Sequence, residues 1–174
     1  LALDEKTLFP QTADKVQRPG PDLWKKFVQE FSRFPQCSSF EPFYHLYHKY
    51  AWAVPCTYGE PGVSLFEQWK AVAALAFATG ETWPAGPAEK FTLIGGDIPG
   101  IQDFVYTISS KGAAKGLRGR SFFLQLLGDA VVRRLLADLD LCPANVVYNA
   151  GGNFLILGPA DGAGRLQSWL AAFN

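Results

Sequence analysis

Two short apolar runs, residues 145–149 and 154–157, are separated by Ala150-Gly151-Gly152-Asn153. Paired glycines between strand-like runs leave the chain one compact course, a tight β-hairpin. Around this hairpin the other signals fall into order. Residues 91–98 read as a strand that ends in Gly95-Gly96-Asp97-Ile98, and Pro99-Gly100 turns it into a short helix over 101–108. Residues 109–119 are small and basic and read as a loop. Arg120 to Leu139 reads as a long amphipathic helix with Phe123, Leu126, Leu127, Ala130, Val131, Leu135 and Leu139 inward. After the hairpin, residues 161–173 read as a closing helix. Strand, helix, helix, strand, strand, helix is most of a ferredoxin-like unit, lacking only a last strand.

The first half has another rhythm. Residues 1–22 are polar and dotted with prolines, as in an extended lead-in. Asp22 can cap a helix over 23–34, and an aromatic helix follows over 40–52. Ser64 can cap a third helix reaching Thr79, with Leu65, Trp69, Val72, Leu75, Ala76 and Thr79 as its expected buried stripe. Residues 80–87 hold two prolines and two glycines and read as a linker. The expected class is therefore α+β: a helical region over 1–87, then a palm-like β-α-α-β-β-α domain over 88–174.

Sixteen basic residues balance sixteen acidic ones among the 174, so a nucleic-acid contact has to come from a local patch. Cys37, Cys56 and Cys142 are scattered and odd in number, which argues against a zinc site or a disulfide framework and fits a reducing cytoplasm. No apolar run is long enough to cross a bilayer. The sequence has no methionine and opens on Leu1, so the chain is expected to begin inside a longer protein; residues 168–174 read as an unfinished helix.

Three groups of residues are candidates for chemistry. Ferredoxin-like palms place acids at the end of the first strand and on the central hairpin, where two carboxylates can hold magnesium ions across a triphosphate. Asp97 occupies the first place, but the hairpin offers only Asn153, so this chain alone cannot assemble a two-metal site. Asp97 is either an auxiliary metal ligand or a capping aspartate at the turn. Lys111, Lys115, Arg118 and Arg120 stand among Gly112, Gly116 and Gly119 with no acid between them, the composition of a phosphate or RNA-backbone site. Taken alone, such a run is more simply a solvated loop. His45 and His48 share a helical face, but no third ligand accompanies them, and they read as part of an aromatic helix.

The stretch Gly96-Asp97-Ile98-Pro99-Gly100-Ile101-Gln102-Asp103-Phe104-Val105-Tyr106-Thr107-Ile108-Ser109-Ser110-Lys111-Gly112, with Leu117-Arg118-Gly119-Arg120-Ser121-Phe122, closely resembles the first palm domain of the large subunit of type III CRISPR complexes, of the A and D subtypes. Residues 148–154 resemble that palm's glycine hairpin. Upstream, Trp52-Ala53-Val54-Pro55 and Val63-Ser64-Leu65-Phe66-Glu67-Gln68 resemble the end of the family's HD-type region, with Glu67-Gln68 where many members have aspartate-histidine.

The resemblance implies a subunit of an RNA-guided antiviral complex whose first palm lacks catalytic acids, the paired aspartates lying in a second palm. It implies ATP and magnesium as cofactors, and guide RNA, target RNA and other effector subunits as partners. It turns the basic loop towards ligand binding. Ser109, Ser110, Lys111, Lys115, Gly151, Gly152 and Asn153 become nucleotide-side candidates, Arg118 and Arg120 phosphate or RNA contacts, and Asp97 a metal candidate. The alternative is one half of an active palm–palm cyclase that makes cyclic oligoadenylates from ATP. The Glu67-Gln68 departure argues against DNA cleavage by this portion.

Overall fold

The computed structural model describes residues 21–34, 39–56, 62–80, 91–107 and 113–171. They form two compact units, residues 1–73 and 74–174, and the division falls inside a helix.

In the first unit, α1 (Pro21–Phe31) and α2 (Phe40–Ala51) precede α3 (Leu65–Thr79), whose opening turns belong here. Aromatic side chains recur every three or four residues along α1 and α2, so each helix turns one ring-rich face inward. Phe27, Leu46 and Tyr50 are buried, with Leu23, Phe43 and Tyr47 packed around them. Trp69 stacks on Phe40 with centroids 5.5 Å apart. Glu30 accepts from Lys49 Nζ at 2.8 Å and from the Tyr50 hydroxyl at 2.6 Å. The Lys49 and Tyr50 hydrogen bonds hold the Glu30 carboxyl below its ordinary range. Burial, then the bond to Glu30, pushes Tyr50 up to about 12. Ser64 caps α3 as expected, its Oγ accepting the Glu67 N–H at 3.2 Å.

The buried residues of α3 are not those of the expected stripe. Phe66, Ala74 and Ala78 are buried, Leu65 and Trp69 are half-buried, and Val72, Leu75 and Ala76 are exposed. The expectation followed three- and four-residue spacing from Leu65, whereas the helix turns Phe66 and two alanines inward, where the small size of the alanines permits close approach.

The second unit is the expected β-α-α-β-β-α order: β1 (Thr92–Asp97), α4 (Ile101–Tyr106), α5 (Ala113–Asp138), a 3-10 turn over Pro143–Asn145, β2 (Val146–Ala150), β3 (Asn153–Gly158) and α6 (Gly162–Ala171). The strands form an antiparallel sheet in the order β1-β3-β2. Gly96 pairs with Phe154 and Asp97 with Asn153. A Cβ at Gly96 would stand 2.3 Å from the Phe154 ring, so only glycine lets that ring lie across the strand. One face of the sheet carries Ile94 and Ile156, which form a core with Val132, Leu135, Leu136 and Leu139. Asn145 is wholly buried and fully used: Nδ2 donates to the carbonyls of Ala74 and Leu157, both at 2.8 Å, and Oδ1 accepts the Cys142 N–H at 3.2 Å. Arg165 donates to the carbonyls of Asp138 and Leu139 at the end of α5.

Two expectations about the long helix are corrected. It begins at Ala113, not Arg120, so Lys115, Arg118 and Arg120 are helical rather than in a loop. Ala113, Ala114, Lys115, Leu117 and Arg118 are strong helix formers and carry Gly116 and Gly119 along, at about 1 kcal/mol each. Its inward stripe also differs. Leu135 and Leu139 are buried and Val131 is half-buried as expected, but Phe123, Leu126, Leu127 and Ala130 are exposed, and Gly128, Val132 and Leu136 are buried instead. The reason is length: a 26-residue helix runs about 39 Å, while a six-residue strand covers about 20 Å. The sheet can cover only half of α5.

Candidate functional site

The hairpin tip is a two-residue turn. Ala150 pairs with Asn153, and Gly151 and Gly152 take φ of +63° and +84°. Two successive positive φ values define a type I′ turn, which matches the twist of the strands and favours glycine at both places. A Cβ on Gly152 would also stand 1.8 Å from Ile101 Cδ1, so this tip lies directly against α4. Ile98 N–H donates to the Gly152 carbonyl at 2.9 Å, fixing the tip to the end of β1.

Beside the tip is a cavity of about 360 Å³. Its walls are Ile101, Gln102, Val105 and Tyr106 from α4, Ser121, Leu124, Gln125 and Gly128 from α5, and residues 149–152 of the hairpin. Its size and its mixture of apolar wall with a few polar groups suit a small organic ligand. Arg120 fixes the end of α4 beside it: Nη1 donates to the carbonyls of Phe104, at 3.0 Å, and Thr107, and the guanidinium lies 5.6 Å from the Phe104 ring centroid. Arg120 thus ties α4 to α5.

The other candidates from the sequence divide around this cavity. Gly151 and Gly152 line it. Asn153 follows the tip and stands opposite exposed Asp97. Lys115 and Arg118 are exposed, three residues apart on the first turns of α5, and make no ion pair among the described residues. Ser109, Ser110, Lys111 and Gly112 lie outside the described residues; in sequence they join α4 to α5. No group of three or more histidine, cysteine, aspartate or glutamate side chains comes together among the described residues. One carboxylate opposite one neutral amide does not make a magnesium site.

In the first unit, His45 is exposed, while His48 packs 4.3 Å from the Phe66 ring and is lowered by burial. Gln68 accepts from the Cys56 thiol.

Sequence reasoning missed Ser121, Gln125, Gly128 and Asn149 as wall residues. A signal for three of them was present: Ser121, Leu124, Gln125 and Gly128 follow i, i+3, i+4, i+7 spacing, a helix face on which polar and small residues replace the expected apolar stripe.

Residues 90–171 match the family model described as Csm1 subunit domain B. The CRISPR system single-strand-specific deoxyribonuclease Cas10/Csm1 (subtype III-A) of Methanocaldococcus jannaschii is 32% identical over 173 residues, covering 78% of this chain and 22% of the relative. Its counterpart from Thermococcus onnurineus is 44% identical over 104 residues, covering 55% of this chain and 13% of the relative. Among solved structures, Csm1 of T. onnurineus superposes with a TM-score of 0.72 at 34% identity, over 84% of this chain and 22% of that one. A Csm1–Csm4 cassette in complex with cA4 gives 0.70 at 34% identity, and one in complex with one ATP gives 0.69 at 33%; each covers 84% of this chain and 21% of the other. The chain thus spans about a fifth of the length of the first of these relatives.

Proposed function

We propose that the chain supplies the first palm of the large subunit of a type III CRISPR RNA-guided interference complex, a reading supported by the match of residues 90–171 to the family model described as Csm1 subunit domain B. In this reading residues 88–174 are the palm and residues 1–87 the helical region before it. The family match beginning at residue 90 supports that boundary. The division into compact units falls earlier, and Ala74, whose carbonyl accepts from the buried Asn145, opens the second unit.

The palm binds a nucleotide in the cavity between α4, α5 and the hairpin tip. The observation that carries this reading is the bare Gly151-Gly152 tip, held against α4 as one wall of a ligand-sized cavity. Relatives solved with ATP and with cA4 support an adenine nucleotide. Ser109, Ser110 and Lys111 would approach the phosphates with Lys115 and Arg118, where the N-terminal dipole of α5 adds to their charge. RNA backbone is the other anion these cations would take. Arg120 acts by holding α4 in place. Asp97 would give at most one carboxylate to a magnesium ion, which it could not hold alone.

Photocrosslinking the full-length protein with 8-azido-ATP tests this. Labelled peptides from 101–128 and 149–153 are expected; labelling confined to other peptides would sink the reading.

A second reading has this palm as one face of a cyclase that makes cyclic oligoadenylates, favoured by the cassettes solved with cA4 and with cA3. Incubating the full-length protein with ATP, magnesium and target RNA separates the two: cyclic products support the cyclase, and their absence leaves the binding role. Partners in either reading are guide RNA, target RNA and other effector subunits, the last supported by cassettes that pair Csm1 with Csm4. The setting is the cytoplasm, consistent with the absence, among the described residues, of a helix long and apolar enough to cross a membrane. DNA cleavage is not assigned to this portion, because Glu67 and Gln68 stand where, by the resemblance, many members have aspartate-histidine.

A further inference from the structure

The walls of the cavity are not held alike. The hairpin is built into the sheet, and Asn149 Nδ2 donates to Asp129 Oδ1 at 2.8 Å, which ties β2 to α5. α5 is itself anchored by buried Gly128 and Val132. α4 buries no residue at all. Ile101, at its start, rests on the hairpin tip, and the Phe104 ring stands 6.0 Å from that of Phe123, both rings being exposed. Its far end depends on Arg120. The last carbonyls of a helix have no donor within it, and Arg120 Nη1 supplies one to Phe104 and Thr107, with the guanidinium over the Phe104 ring. Among the described residues no carboxylate pairs with Arg120. Arg120 is half-buried and is not itself part of the cavity wall.

The near end of α4 has a pivot. Ile98 is fixed to the tip by its N–H on the Gly152 carbonyl. Two residues on, Gly100 takes a φ of +75°, and a Cβ there would meet nothing within 4 Å. A glycine in open space can change φ without striking a neighbour. Rotation there leaves Ile101 near the tip and carries Val105 and Tyr106, both wall residues, furthest.

We infer that α4 is a hinged wall, pivoting at Gly100 and latched by Arg120, and that the cavity is complete only while the latch holds. For its occupant the inference rests on the nucleotide-binding reading. Arg120 is a positioning residue that acts through α4 and touches no ligand. Latching and occupancy are then coupled, and each favours the other by the same factor.

Amide hydrogen exchange of the full-length protein tests the latch with no ligand present. A six-residue helix released from its support does not keep its own hydrogen bonds. Amides of residues 101–107 should therefore exchange about ten-fold faster in R120A, while those of residues 146–158 exchange as in wild type. R120K, a point donor without the planar fork, should fall between. In wild type, ATP should slow exchange over 101–107. Equilibrium binding of ATP and adenosine gives the second readout. R120A should weaken both by the same factor, about ten-fold. A guanidinium that met the phosphates directly would weaken ATP and spare adenosine, and that result would overturn the inference.

Exchange over 101–107 that is unchanged in both R120A and R120K would also overturn it, and would leave the nucleotide-binding reading untouched. So would ATP that binds wild type without altering that exchange, a result that needs no variant to fold. Faster exchange over 146–158 as well would show a general loosening instead of a hinge. If neither ATP nor adenosine binds wild type, the nucleotide-binding reading fails and the coupling with it, whatever R120A does to α4.

Discussion

The two ends of the sheet unit are built on opposite terms. At one end, Val132, Leu135 and Leu136 of α5, with Leu139 just after it, close on Ile94 and Ile156, and Asn145, the one buried polar residue among the described residues, satisfies its neighbours. At the other, the same helix runs beyond the strands. Phe122, Phe123, Leu126 and Leu127 are exposed, and Ser121, Gln125 and Gly128 border a cavity instead of filling it. One helix thus serves as core for half its length and as the wall of a site for the other half. A strand of six residues fixes where the change occurs.

Substitutions at matched positions break or sharpen that contrast. The largest effect is expected from Leu135→Ala, which opens a hole in the closed end and should lower stability by about 2–5 kcal/mol in denaturant titration. Leu126→Ala, one helix face and several turns away, should cost about 0.5 kcal/mol or less. Equal losses would mean that the exposed half of α5 is covered in the folded protein. Next is Asn145→Ala, at about 2–3 kcal/mol, since it strips a donor from two carbonyls and an acceptor from the Cys142 N–H. If that variant melts like wild type, the buried amide is not what joins the end of α3 to β3.

At the cavity end, Gly152→Ala meets both a positive φ and Ile101, and a cost of about 1–3 kcal/mol with loss of nucleotide binding is expected. Gly151→Ala has positive φ but open space, so about 1 kcal/mol and retained binding should result. The reverse order would show that the tip does not rest on α4. The smallest stability effect belongs to the double change Lys115→Ala and Arg118→Ala, within about 0.5 kcal/mol. Affinity for ATP or RNA should nonetheless fall several-fold and depend less steeply on salt. Unchanged affinity and salt slope would remove both cations from the site.

The order of the elements was more legible in the sequence than the packing at either end. Gly151-Gly152, Pro99-Gly100 and the short apolar runs are local signals, and the hairpin, the strands and the helix order follow from them within a residue or two. Periodicity marks an apolar stripe on α5 but says nothing of how far the sheet extends to meet it, so Phe123, Leu126 and Leu127 were placed inward. Gly116 and Gly119 read as a loop because glycine is a poor helix former; nothing local shows that the surrounding alanines, lysine and arginine outweigh them. Asp129 and Asn149 are twenty residues apart and belong to different elements, so their pairing is visible only once β2 lies along α5. The burial of Asn145 is likewise a property of the assembled unit: the sequence shows an asparagine after a proline turn, not the two carbonyls that converge on it.

Asp97 and Asn153 stand directly across from one another on paired strands, where facing side chains come within about 5 Å. The codons for asparagine and aspartate differ in a single base. One transition at position 153 would therefore give two facing carboxylates, while the glycine tip, the strand register and the wall of α4 would be inherited unaltered. This hairpin thus stands one mutational step from a paired-acid one. What holds the two forms apart is the repulsion of two neighbouring negative charges in the absence of a cation, rather than any difference in fold.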